Sequence, residues 1–269
     1  MFDPRELLGS LMQGGLSQST STRLGHAMGP QGLGQSDSPL GGLLGQLGQA
    51  VGGGGGLADR AGGMFGDATR AVKSGNPLAV GGLAALAGAL LGGGSGAAKG
   101  ALGGGAMAVL GALAMSALKN WQQAQAGSPA GTSAGGLPLE LREPLNQGEE
   151  QALQSQALLV LRAMANAVKA DGRVDASEMQ RIAAKIQGTG DDAAAQAFVM
   201  EELKKPMDLQ AIVRDVRGPE VAVQVYAASL LAIEVDTPAE REYLQRLAQG
   251  LGLDAETVKR VHQMLGVTV

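Results

Sequence analysis

The chain has 269 residues, 44 of them glycine, carries no cysteine, and has a net charge of −4. The absence of cysteine excludes disulfides, thiolate metal sites and a cysteine nucleophile. With only two histidines, His26 and His262, there is no histidine cluster for zinc or for a His-based triad.

Glycine is unevenly placed. Seven of the 44 lie after residue 148, which leaves 37 in the first 148. A quarter glycine argues against a dense core in that part, because glycine costs the most entropy to order and buries no side chain. Charge divides at the same point. Residues 149–269 hold 13 Lys/Arg and 18 Asp/Glu, a net of −5, so the first 148 carry +1. A mildly acidic helical domain with few aromatics is a poor partner for nucleic acid, and none is expected.

Four segments follow. Residues 1–74 read as a disordered Gly/Ser/Gln-rich arm. Met1 to Leu8, with Pro4 in a first-turn position, suits a short amphipathic helix for an interface or a partner, but reads first as a frayed terminus. Residues 75–120 are rich in Gly, Ala and Leu, with no charge from Gly75 to Ala98 or from Gly100 to Leu118. Each piece meets the length of about 20 residues that spans a bilayer. Gly88, Gly92, Gly96, Gly100 and Gly104 recur every four residues, a glycine-zipper stripe that lets helices approach closely in lipid. A membrane hairpin turning near Gly93–Lys99, a single helix running through Lys99, and a linker that never inserts all fit. Residues 121–148 are a second linker, whose stretch Leu137–Leu145 suits docking as an extended segment.

From Glu149 the pattern takes the helical period, and residues 149–269 read as an all-α domain of about seven helices. Leu153, Ala157, Leu161, Met164 and Val168 form the first stripe. The second helix starts at Asp175 and stops at Gly188, and the third runs from Asp192 to Lys204. The fourth starts at Asp208 and the fifth at Gly218-Pro219, nearly all apolar and therefore central. The sixth opens at Thr237-Pro238 and the seventh at Asp254. Met200, Met207 and Met264 read as core filler, and His262 as a surface residue.

Two acidic loops share a pattern: Ala170-Asp171-Gly172-Arg173-Val174-Asp175-Ala176-Ser177-Glu178, and Ala232-Ile233-Glu234-Val235-Asp236-Thr237-Pro238-Ala239-Glu240. Helix capping accounts for Asp175 with Glu178 and for Thr237 with Glu240. The alternative is a divalent cation held where Asp171, Asp175, Glu234 and Asp236 converge, since unpaired carboxylates brought together repel. Asp171 to Glu178 matches half of a calcium loop, but the earlier ligand positions would be Ala167 and Lys169, which cannot ligate. The domain offers carboxylates and one histidine, and no catalytic constellation or small-molecule substrate is indicated.

On residues 170–178 and on Leu230-Leu231-Ala232-Ile233-Glu234-Val235-Asp236-Thr237-Pro238-Ala239-Glu240-Arg241-Glu242-Tyr243-Leu244, the sequence resembles the TerB-like superfamily of tellurite-resistance proteins. Within it the sequence is similar to the YebE-like inner-membrane proteins of unknown function, across roughly residues 145–269. The resemblance implies an all-α TerB-like fold and a membrane or stress association. It also implies acidic positions that bind metal or sense: Asp171, Asp175, Glu178, Glu234, Asp236 and Glu240. It implies no reaction. The combined expectation is a non-enzymatic module tethered to the bacterial inner membrane, with its C-terminal domain cytoplasmic. The alternative is a scaffold that oligomerises through the glycine zipper and binds protein partners.

Overall fold

The computed structural model describes residues 2–14, 17, 19–29, 32–33, 97–124, 139–141, 144–172, 182 and 192–267. Among these it is all-helical, with nine helices and no strand. They are α1 (Pro4–Gly14), α2 (Thr20–Met28), α3 (Ala97–Ala124), α4 (Gln147–Val168), α5 (Asp192–Lys204), α6 (Leu209–Asp215), α7 (Pro219–Ala232), α8 (Pro238–Gly250) and α9 (Ala255–Met264), with a 3₁₀ turn at Leu139–Leu141.

α7 is the axis of the domain. Ala222 to Ala232 is buried without a break, as a helix that is apolar on every side requires. α4 and α3 pack along it, and α8 and α2 close its C-terminal end. Side chains named by the sequence fix the helix starts. Asn146 accepts from the Glu149 amide, Asp208 from Ala211 and Asp254 from Thr257. Pro219 follows Gly218, whose φ of 92° suits glycine. The helix expected from Asp175 to Gly188 lies outside the described residues except for Ile182, which is buried.

Two expectations from composition change. Within residues 1–74, expected as a disordered arm, Pro4–Gly14 and Thr20–Met28 are helices seated on the domain. Leu7, Leu8, Leu11 and Met12 of α1 are buried in its core. The terminus is therefore not frayed: its leucines supply the apolar area that its glycines lack. The glycine-rich segment contributes as well. α3 runs through Lys99 and past the expected boundary at 120, and Met107, Leu110, Leu113 and Ala114 are buried in the core where α3 packs on α1, α7 and α9. The glycine content permits this packing. A Cβ on Gly111 would come within 3.0 Å of the Glu140 Cβ on the 3₁₀ turn. Of the stretch expected to dock as an extended segment, residues 139–141 form this short helical turn, and Gln156 donates to the Glu140 carboxylate at 2.7 Å. Among the described residues no helix is long and apolar enough to cross a membrane. The uncharged residues 75–96 lie outside them.

Candidate functional site

The first acidic loop begins where α4 ends. Gly172, with φ of 74°, turns the chain, and Asp171 is exposed. Asp175 and Glu178 lie outside the described residues. Lys169 has a defined role here. Its ammonium donates to the carbonyl oxygens of Glu202 and Lys205 at 2.9 and 3.0 Å, closing the C-terminal end of α5 where a cation is favourable. Burial pushes the Lys169 pKa down, and the nearby Glu202 opposes that shift.

The second loop is fully described. Thr237 and Glu240 form the expected capping box: the Glu240 amide donates to Thr237 Oγ1 at 3.1 Å, and the Glu240 carboxylate accepts from the Thr237 amide at 3.0 Å. Glu240 is buried, while Glu234 and Asp236 are exposed. Val235 has φ of 63°, the left-handed region that β-branched residues avoid. Arg241 holds the strained turn by donating to the carbonyls of Val235 and Asp236, each at 3.2 Å. Among the described residues there is no group of three or more His, Asp or Glu side chains that could hold a metal ion.

The N-terminal helices occupy this loop instead. The buried guanidinium of Arg23 donates to the carbonyls of Leu230, Ile233 (2.5 Å) and Glu234 (2.7 Å) at the end of α7. Thr20 Oγ1 donates to the carbonyl of Leu231 at 2.9 Å. The backbone amide of Ser19 donates to the Glu234 carboxylate at 3.1 Å. The last carbonyls of a helix have no partner within it, and here a planar cation with several donors supplies one. Burial lowers the Arg23 pKa, and Glu234 and Glu240 pull it back up.

At the other end of the pair, Arg5 bridges Glu150 in the first turn of α4 at 2.5 Å, and the Phe2 and Phe198 rings lie 5.2 Å apart. Leu11 also covers an apolar cleft between α4 and α5, lined by Met164, Val168, Ile182, Phe198 and Leu203.

His262 is not a surface residue. It is half-buried and hydrogen-bonded through Nε2 to the Tyr226 hydroxyl at 2.7 Å, with the rings stacked. Burial, and secondly Arg23, lower its pKa. Of the methionines, Met264 is buried as expected, but Met207 is exposed, because it sits in the loop between α5 and α6. Arg23 was not among the sequence candidates. One signal could have found it: Thr20, Arg23 and Ala27 fall on one helical face, and all three are buried.

This arrangement defines an all-helical module whose central helix is capped by its own N-terminal helices. The chain belongs to the family described as Protein of unknown function (DUF533), whose model matches residues 73–265. It is also similar to the "Uncharacterized protein in ampR 5'region" of Yersinia enterocolitica, with 24% identity over 121 residues, covering 45% of this chain and 87% of that protein. No solved structure matches it.

Proposed function

We propose that this is a non-enzymatic helical adaptor of the bacterial inner membrane, acting in envelope or metal stress, whose second acidic loop is a protein-docking surface. One observation carries the reading. The groups that this loop exposes, the Glu234 carboxylate and the carbonyls ending α7, are taken up by a peptide segment of the chain, through Ser19, Thr20 and Arg23. Recognition of a main-chain amide and a guanidinium by a carboxylate and helix-end carbonyls is protein-recognition chemistry. The TerB-like kinship belongs to this proposal and rests on the two Val-Asp loops. Membrane attachment rests on the uncharged run from Gly75 to Ala98.

The rival reading is a divalent cation held by Asp171, Asp175, Glu178, Glu234, Asp236 and Glu240. Thermal unfolding of the full chain in EDTA and in millimolar calcium, magnesium or manganese separates the two. A cation at 100 times its dissociation constant would add about 2.7 kcal/mol of stability. A shift of that size, abolished by Asp171→Ala, would establish the cation site and overturn the docking reading of the loop. The expected result is no such shift, together with recovery of the protein in the membrane fraction.

A further inference from the structure

The N-terminal helices touch the domain at both ends of one continuous surface, and each end fixes the register. Arg5 meets Glu150 at the start of α4, Leu7, Leu8, Leu11 and Met12 fill the space over α3 and α4, and Arg23 closes α7. Residues 34–96 lie outside the described residues. Those 63 positions between Leu33 and Ala97 set the reach of the pair. Their contour length limit is about 210 Å, several times the diameter of about 40 Å expected for a body of this size.

We propose that α1–α2 is an exchangeable docking element, which occupies this surface of its own chain or the same surface of a second copy. The inference rests on the docking reading above and adds the partner. A copy seated in trans makes the same hydrogen bonds, ion pair and apolar contacts as one seated in cis, so exchange leaves the contact energy unchanged. Two copies that trade helices reciprocally close as a two-fold dimer. The balance is then set by concentration. A tether holds the cis partner at an effective concentration near the millimolar range. The trans form therefore grows with crowding of the copies, as confinement to one surface would produce.

Because the chain has no cysteine, introduced thiols report cleanly. In full-length protein, Phe2→Cys and Phe198→Cys replace two residues whose rings are in contact across the docked surface. The double variant, treated with a short bismaleimide, should cross-link within one chain, which reads out docking itself. The two single variants are then mixed, co-incubated for a long period at high concentration, and cross-linked. They should give a cross-linked heterodimer whose yield falls about tenfold on tenfold dilution before incubation. It should exceed by at least several-fold the yield from Phe2→Cys mixed with Glu242→Cys, which places the thiol on an exposed residue of α8. Intramolecular cross-linking without a heterodimer above that background would overturn the exchange and leave docking in place. Failure of the double variant to cross-link would overturn both.

Discussion

Tyr226, in the middle of the buried helix α7, shares a 2.7 Å hydrogen bond with Nε2 of His262 on α9, and the two rings lie within 11° of parallel. Burial and then the charge of Arg23 hold His262 below its ordinary pKa, so the folded protein favours the neutral imidazole. The unfolded chain binds this proton more readily. The resulting stability is fully present above the ordinary histidine value of about 6.5 and declines as pH falls below it. Urea unfolding from pH 7.5 down to 5 should show a steeper loss for the native chain than for His262→Gln. Parallel curves would mean that His262 does not titrate differently on folding.

Arg23→Ala should be the costliest exchange in the N-terminal helices. It removes a buried cation that donates to three carbonyls at the end of α7. Hydrogen bonds to a charged group are worth about 1.5–3 kcal/mol, and the orphaned carbonyls stay desolvated. Arg23→Lys should recover only part of this, because one ammonium cannot span the three acceptors as a planar fork does. Denaturant midpoints measure the loss. Limited proteolysis should show earlier release of α1–α2 in the Ala variant. Equal midpoints for Arg, Lys and Ala would remove Arg23 from the docking surface.

The capping box at α8 gives a smaller effect with a different signature. Thr237→Ala should cost about 1 kcal/mol, since the Glu240 amide loses its acceptor and the buried Glu240 carboxylate loses a donor. Glu240→Gln keeps an acceptor for the Thr237 amide but loses the negative charge at the helix start, so its cost should be smaller. Thermal melts of the two variants, with and without divalent cations, test the ordering. A cation-dependent difference between them would favour metal binding at this loop.

Membrane attachment makes a topological demand. Thr22 on α2 and Ser155 on α4 are both exposed on one folded body, so they must face the same side of any bilayer that residues 34–96 enter. Thr22→Cys and Ser155→Cys in membrane vesicles should therefore label together, or be protected together, with an impermeant maleimide. Opposite accessibility would separate α1–α2 from the domain across the membrane and exclude docking within one chain.

What the sequence shows well is local. Asp208, Gly218-Pro219, Thr237-Pro238-Glu240 and Asp254 each sit within three residues of the amide or turn they control, and the helix starts in the domain fall where those residues put them. What it hides is remote. Leu7, Leu8 and Arg23 are buried by elements distant in sequence, α1 by α3 and α4 and Arg23 by the end of α7, and glycine-rich surroundings mask their helical period. His262 reads as a surface residue on its own helix. It becomes half-buried against Tyr226 of α7, with Arg23 of α2 close enough to shift its pKa. Low glycine content is a sound criterion for a core, but α3 shows its limit: Leu110 and Leu113 are fully buried beside Gly111. Of the candidate acids in the second loop, Glu234 and Glu240 have hydrogen-bond partners. Their partners, Ser19 and the capped Thr237, follow from the three-dimensional arrangement and from local capping respectively.

Val235 offers the sharpest test of strain in that loop. Its φ of 63° places a β-branched side chain in the left-handed region, at a cost of about 1–3 kcal/mol. The side chain is only partly buried against the core. Val235→Ala and Val235→Gly both remove that packing, but only glycine also removes the clash of Cβ with the backbone. At an ordinary position glycine is the less stable of the two by about 0.5–1 kcal/mol, because the unfolded chain gains freedom. Here the order should reverse, with Val235→Gly more stable than Val235→Ala by about 1 kcal/mol. Equilibrium urea unfolding of the two variants at neutral pH decides it. An alanine variant as stable as the glycine one would mean that the loop relaxes to a negative φ once the valine is gone. The turn held by Arg241 would then be a consequence of packing rather than a fixed feature of the docking surface.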